Sequence, residues 1–181
     1  MDDKRARFEA QVLPHLDAAY RFARWLSFSP ADADDVVQEA VLRAFRAFDS
    51  LRGSDVKAWL LAIVRNCHFT AAKQQQRRAY VPLPEENDAH DGHAMTATTP
   101  DPESDAISAD HRSALDRLMA SLPEEQRTVL MLREIEEMDY AQIAAVTQVP
   151  IGTVMSRLAR SRAALKAKWV QELGGEPRAV R

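Results

Sequence analysis

The sequence predicts an all-α protein made of two small helical domains joined by a flexible acidic linker. Apolar residues recur every three or four positions before residue 80 and again after residue 110, which is the periodicity of amphipathic helices. No segment gives a convincing strand signal. Between the helical parts, Val81 to Asp110 hold eight acidic residues, four prolines and no lysine or arginine, a composition typical of an extended linker. We therefore expect domains at residues 1–80 and 110–172, a linker at 81–109 and a tail at 173–181.

The first domain is expected to begin with one amphipathic helix, followed by a second helix that has a clear start signal. The first helix shows apolar residues at spacings of three and four, namely Phe8, Val12, Leu16, Ala19, Tyr20 and Ala23. Ser29 and Pro30 place a serine cap before a proline at the first helical position, and acidic residues occupy the opening turns. The apolar face of the second helix is expected to consist of Val37, Val41, Ala44, Phe45 and Phe48.

A loop and a third helix complete the first domain. Asp49 to Val56 is predicted to be a loop, with its glycine at Gly53. The third helix is expected to begin near Lys57, and the charged residues from Arg65 to Tyr80 are all basic. Its apolar positions are Trp59, Leu60, Ile63, Val64 and Cys67.

Helical periodicity resumes in the second domain, with Leu115, Leu118, Met119 and Leu122. Pro123, followed by two glutamates, is predicted to start the next helix. The inward-facing residues of that helix are expected to be Val129, Leu132 and Ile135.

Asp139 to Leu165 predicts two helices joined by a short turn. Pro150 ends the first helix, because proline lacks an N–H donor and disfavours the helical conformation of the residue before it. Between Thr153 and Lys168, the second helix carries five basic residues and no acid. Its apolar stripe is Val154, Leu158 and Leu165. An ordinary helical hairpin with a solvated basic face has the same pattern, but a basic exposed second helix also suits the major groove of a DNA duplex. We favour DNA binding.

The composition limits the classes of function. The formal net charge is only −3, so affinity for nucleic acid must come from local basic patches. The single cysteine excludes an internal disulfide framework, and no apolar run reaches the roughly 18 residues of a membrane span. We therefore expect a cytoplasmic protein without membrane attachment. Cys67, His68, His90 and His93 lack a compact ligand spacing, so no metal, cofactor or small-molecule substrate is predicted.

Two further features carry functional information. Asp32 to Phe45 is an acidic helix, and a solvated helix face would explain it as well as a docking surface. Trp59 and Asn66 precede a basic segment. Aromatic rings and cations together bind single-stranded bases by stacking and by neutralising phosphates. A tryptophan buried in the bundle would also explain Trp59.

Several motifs together resemble a known family. They are Asp34–Glu39, Ala58–Leu61 with Arg65–Asn66, Ser121–Glu124, Pro150–Val154 and Ser156–Leu158. In combination they resemble bacterial RNA polymerase sigma factors of the sigma-70 family, most closely the compact extracytoplasmic-function (ECF) type. The resemblance covers about residues 8–80, which are similar to region 2 of that family, and about residues 110–170, which are similar to region 4.

The resemblance implies a promoter-specificity subunit that directs transcription initiation and has no enzymatic or catalytic site. It implies that one helix docks on the largest subunit of core RNA polymerase through Asp34, Asp35, Gln38, Glu39 and Arg43. The residues implied to read and open the −10 promoter element are Arg52, Lys57, Trp59, Arg65, Asn66, Lys73, Arg77 and Arg78. Those implied to read the −35 element as duplex DNA are Arg133, Pro150, Thr153, Met155, Ser156, Arg157 and Arg160. Region 4 is also implied to meet the second-largest polymerase subunit, and an anti-sigma protein is implied as antagonist.

Two positions depart from the family pattern. Met155 stands where an arginine or lysine is frequent in the family. Gln148 stands where the turn often has glycine. We therefore expect this turn to lack a residue that adopts the left-handed conformation freely. The alternative function is an autonomous helix-turn-helix repressor or activator with an N-terminal dimerisation domain. That alternative leaves Asp34–Glu39 and Trp59–Asn66 without a role.

Overall fold

A computed structural model describes residues 2–27, 29–51, 53, 55–79 and 114–173. Within these residues every regular element is helical, so the predicted all-α class is confirmed. The elements are α1 (Asp2–Val12), a 3₁₀ helix (Leu13–His15), α2 (Leu16–Ser27), α3 (Pro30–Ala47), a second 3₁₀ helix (Phe48–Ser50), α4 (Val56–Ala79), α5 (114–120), α6 (Glu124–Glu134), α7 (Tyr140–Thr147) and α8 (Ile151–Leu173). The predicted linker at 81–109, and the tail beyond Leu173, lie outside the described residues.

The first predicted helix is two helices. Pro14 lies in the short 3₁₀ helix that separates α1 from α2, because a proline inside a helix removes one backbone donor and clashes with the preceding turn. The apolar spacing nevertheless continues across the break. Phe8 and Val12 from α1, with Ala19 and Phe22 from α2, belong to the same core.

The helix α3 starts as predicted, and its predicted apolar face is only partly the buried one. Ala44 and Phe48 are buried as predicted, and Val37 and Val41 are half-buried against the core. The hydroxyl oxygen of Ser29 accepts a hydrogen bond from the backbone N–H of Asp32 at 3.3 Å, which caps the helix. The fully buried positions are Ala33, Val36, Ala40 and Ala44. Small side chains at these positions allow neighbouring helices to approach closely. Phe45, predicted to be inward, is 38% exposed and packs edge-on against Phe8.

The helix α4 begins at Val56 and is the centre of the first domain. Its N-terminus is capped by Asp55, whose carboxylate accepts from the backbone N–H of Ala58 at 2.8 Å. Of the predicted apolar stripe, Leu60, Val64 and Cys67 are buried, while Trp59 and Ile63 are half-buried against the core. Leu61, which was not predicted, is also fully buried.

The second part of the chain contains α5 to α8. Val129 and Leu132 are fully buried in α6 as predicted, but Ile135 is 47% exposed because α6 ends at Glu134 and the chain turns away there.

The helix-turn-helix prediction is confirmed at α7 and α8. Asp139 and Gln142 form a reciprocal capping box at the start of α7, with both hydrogen bonds at 2.8 Å. Gln148 supplies the turn itself, because its backbone is left-handed at φ 57° and ψ 40°. The expectation that this turn lacks a left-handed residue is therefore wrong.

The two helical parts pack against each other. One apolar cluster includes buried residues from every helix from α1 to α8, Met119 of α5 among them. The contacts between the parts join α4 to α7 and α2 to α6. None of the described helices is long and apolar enough to cross a membrane.

Candidate nucleic-acid interface

The helix α8 presents a narrow exposed surface beside the turn. Val154 and Leu158 are buried, and the hydroxyl of Ser161 donates to the backbone carbonyl of Gln126 in α6 at 3.0 Å. These contacts fix the rotation of α8. Met155 is 52% exposed, and Arg160, one and a half turns further along α8, is also exposed.

Several other residues expected to contact the −35 element make hydrogen bonds that stabilise the helix-turn-helix. Arg133 donates to the carbonyl of Met138 at 2.8 Å and lies over the ring of Tyr140 at 5.3 Å, so it braces the segment before α7. The Pro150 carbonyl accepts from the N–H of Thr153 at 2.9 Å, which begins α8. The Ser156 hydroxyl donates back to the carbonyl of Thr153 at 3.0 Å.

Arg157 is placed differently from Arg160. Its side chain is only 17% exposed, and its guanidinium pairs with the carboxylate of Glu125 at 2.5 Å. This pairing explains why the pattern of basic residues alone overestimates the number of free cations on α8.

A groove on α4 brings together two of the residues expected to bind the −10 element. It is an open groove of about 430 Å³ lined by Asn66, Phe69, Thr70, Lys73 and Gln74. It offers an amide, an aromatic ring and a cation on one helix face. The sequence prediction included only two of these residues, Asn66 and Lys73. The others could have been found from their spacing, since positions i, i+3, i+4, i+7 and i+8 share one side of a helix.

Arg65 lies beside this groove. Its guanidinium carbon is 4.5 Å from the centre of the Phe69 ring, and its Nε is buried without a hydrogen-bond partner. Burial, and then the nearby Arg157 guanidinium, lower the pKa of Arg65.

The remaining residues expected to bind the −10 element do not all join the groove. Trp59 is half-buried and packs against the core near the start of α4. Lys57, two residues earlier, binds Glu136. The backbone of Arg77 and Arg78 continues α4, while their side chains and all of Arg52 lie outside the described residues.

An acidic surface lies on the outward side of α3. Asp34, Asp35 and Gln38 are exposed, and Glu39 pairs with Arg43 at 2.6 Å. Leu42 is 52% exposed on the same side, at helical spacing from Asp35, Gln38 and Glu39.

The two helical parts match the family models of two Sigma-70 regions. Residues 12–78 match Sigma-70 region 2, and residues 112–165 match Sigma-70, region 4. The ECF RNA polymerase sigma-E factor of Escherichia coli is 38% identical over 141 residues, which are 76% of this chain and 73% of that protein. This chain belongs to the ECF sigma factor family.

Other relatives agree with this assignment. The ECF RNA polymerase sigma factor SigE of Mycolicibacterium smegmatis is 34% identical over 159 residues, and the chain spans 58% of the length of that protein. The sigma factor RpoE of Bartonella quintana, solved in complex with the anti-sigma factor NepR, is 26% identical with a TM-score of 0.71, over 92% of this chain and 98% of that one. CnrH, solved with the cytosolic domain of CnrY, shares the fold with a TM-score of 0.63 at 22% identity, over 93% of this chain and 90% of that one.

In this ECF sigma factor, the three surfaces lie on different elements. The groove belongs to α4 and the acidic surface to α3, both within the region 2 match. The exposed side of α8 lies within the region 4 match. Among the described residues, no group of histidine, cysteine or acidic side chains could hold a metal ion.

Proposed function

We propose that this ECF sigma factor is a promoter-specificity subunit that binds core RNA polymerase and directs transcription initiation. The exposed side of α8 reads the −35 element as duplex DNA, and the α4 groove holds an unstacked base of the −10 element. The acidic surface of α3 docks on the largest polymerase subunit, and region 4 meets the second-largest. An activity on RNA polymerase implies a cytoplasmic site of action, and it requires no catalytic residue in this chain.

One observation carries this proposal. Two different surfaces support it: the exposed side of α8, which suits a duplex groove, and the α4 groove, which suits a single base. An autonomous repressor needs only the first of these. The half-exposed Leu42 beside Asp35 and Glu39 also favours a protein-binding surface over a merely solvated helix face.

We also propose that an anti-sigma protein binds this chain. The support is the RpoE structure, in which a chain of the same fold and nearly the same extent is solved with the anti-sigma factor NepR. The domain boundaries at residues 80 and 110 remain part of the proposal.

Co-elution with core RNA polymerase tests the function. The purified chain should elute with core polymerase in gel filtration, and the complex should bind promoter fragments that neither component binds tightly alone. A chain that binds DNA duplexes tightly by itself and never co-elutes with polymerase would favour the repressor instead.

Replacing Arg160 by alanine should weaken binding to a −35-containing promoter fragment by about 10- to 100-fold, since one good base contact is worth about 1–3 kcal/mol. Arg160 is exposed on the outward side of α8. Arg162→Ala is the matched control, because Arg162 is engaged with Glu134 at 2.6 Å. Fluorescence anisotropy of the polymerase complex measures both. Equal affinities for the two variants would show that Arg160 does not contact the −35 element as proposed.

Replacing Met155 by arginine should strengthen binding to the same fragment at moderate salt. One added phosphate contact should steepen the dependence of log affinity on log salt by about one unit. Val170→Arg is the control, since Val170 is exposed about four turns further along the same helix. A lower affinity of Met155→Arg in the salt titration would indicate that Met155 packs on a thymine methyl group or on protein.

A further inference from the structure

Phe69 places an aromatic ring at the edge of the α4 groove. The ring is half-buried, whereas the other lining residues are all exposed, namely Asn66, Thr70, Lys73 and Gln74. The groove therefore joins one apolar surface to neutral polar groups, which can hydrogen-bond a base, and to one cation, which can pair with a phosphate. No sequence motif assigned a function to Phe69.

Arg65 lies against the same ring. Its guanidinium carbon is 4.5 Å from the centre of the Phe69 ring, which is a cation–π contact between neighbours four positions apart on one helix. At about 100° per residue around the helix, Phe69 lies between Arg65 and the other lining residues. The guanidinium therefore flanks the ring on the side away from the groove, and the groove side is the one that a ligand can reach.

His68 adds a second contact to the ring. The His68 and Phe69 rings meet edge to face, with their centres 5.7 Å apart. Both contacts come from residues of α4 itself, so they do not depend on other helices. A ring whose orientation is fixed before binding loses less conformational entropy when a ligand packs on it.

Trp59, the aromatic residue that the sequence predicted for −10 recognition, is placed less well for stacking. It packs against the core near the start of α4 and is not one of the residues that line the groove. Asn66 lies about one turn from Phe69 but about two turns from Trp59. A base that hydrogen-bonds the Asn66 amide is therefore within closer reach of Phe69.

We propose that Phe69 is the surface on which the unpaired −10 base stacks, and that Arg65 is a positioning residue, which holds the ring and makes no contact with DNA. This inference rests on the proposed function and adds the residue that makes the stacking contact. Every base has a π-face, so stacking on Phe69 supplies affinity for any unpaired base. The choice among bases comes from the amide of Asn66.

Fluorescence titration of the full chain with single-stranded DNA tests the stacking contact. The probes are an oligothymidylate and an oligodeoxycytidylate, each with one central 2-aminopurine, whose emission falls when it stacks on an aromatic ring. Phe69→Leu removes the ring and keeps an apolar side chain, and Phe69→Trp keeps a ring. Phe45→Leu is the matched control, because it removes a ring that is 38% exposed on α3, outside the groove.

Phe69→Leu should bind both probes about tenfold more weakly than Phe45→Leu and should lose the quenching of 2-aminopurine, as expected when one base loses its stacking partner. Phe69→Trp should restore both affinity and quenching. Equal binding by Phe69→Leu and Phe45→Leu would overturn the proposal. A loss confined to one of the two probes would also overturn it, because Phe69 would then select a base.

Arg65→Gln tests the positioning role with the same probes. It should reduce the quenching and the affinity, while the slope of log affinity against log salt stays equal to that of Arg5→Gln. Arg5→Gln is the matched control, since it makes the same charge change where Arg5 pairs with Glu9 on the surface of α1. A slope smaller by about 0.7, the value for one phosphate on a single strand, would show that Arg65 contacts DNA and would overturn its positioning role. These titrations contain no polymerase, so co-elution judges the proposed function separately.

Discussion

Replacing Asp35 and Glu39 together by lysine is expected to abolish co-elution with core RNA polymerase. Both carboxylates lie on the outward side of α3, beside the half-exposed Leu42 and away from the buried Ala33 and Val36. Like charges brought together at an interface cost several kcal/mol, which is enough to remove a micromolar complex from gel filtration. The fold should survive, since the Glu39–Arg43 pair contributes only about 0.3–0.5 kcal/mol on a helix surface.

The matched control is the double replacement of Asp3 and Glu9 by lysine. It makes the same charge change on α1, where, among the residues that the structure describes, both acids pair only along that helix. This control should co-elute normally, and circular dichroism should give the same helical spectrum for all three proteins. Normal co-elution of the Asp35 and Glu39 variant would mean that the acidic surface is only a solvated helix face.

Replacing Asn66 by alanine is expected to reduce promoter opening about tenfold or more, and to relax base preference at one position of the −10 element. Asn66 lies in the α4 groove with Phe69 and Lys73, and its amide offers both donors and acceptors to a flipped base. A lost base contact of about 1–3 kcal/mol accounts for that magnitude. Permanganate footprinting on promoters with single −10 substitutions measures the opening.

Gln75→Ala provides the control for Asn66→Ala. Gln75 is an exposed amide on the same helix, nine residues away and so on the opposite side of α4. Thermal melting should be nearly unchanged in both variants, since both side chains are exposed. Equal opening by the Asn66 and Gln75 variants on every template would exclude the groove as the base pocket. A lowered melting temperature for Asn66→Ala alone would indicate a structural role.

The periodicity of apolar residues was sufficient to predict the helices and their class. It was insufficient where one residue overrides the pattern. Pro14 divides a continuous apolar stripe into two helices, because the spacing depends on side chains whereas the break depends on a missing backbone donor. Gln148 adopts the left-handed conformation without being a glycine, since the turn requires it and the surrounding helices hold it.

The buried face of a helix was predicted less well than its existence. Phe45 and Ile135 have the spacing of core residues, yet both are substantially exposed. Their large hydrophobic side chains led to the prediction that they are buried. In α3, however, the buried positions are mostly alanines. Which side of an apolar stripe is buried depends on the neighbouring helices, and their positions are not encoded locally.

In the candidate site, too, some features could be predicted from the local sequence and others depend on distant segments. Asn66 and Lys73 were predicted from residue type, and helical spacing alone would have added Phe69 to the groove. The engagement of Lys57 with Glu136 and of Arg157 with Glu125 could not be predicted, because these partners come from distant segments brought together by packing. A basic residue in the sequence is therefore a candidate DNA contact until its protein partners are known.

Sequencing the 5′ ends of transcripts made by core RNA polymerase on genomic DNA, with and without this chain, tests the central claim most directly. A promoter-specificity subunit should create discrete start sites that share a −10 and a −35 element, and polymerase alone should make none of them. If the chain bound DNA but created no new start sites, or only suppressed existing ones, the proposed function would be contradicted and the autonomous repressor would take its place.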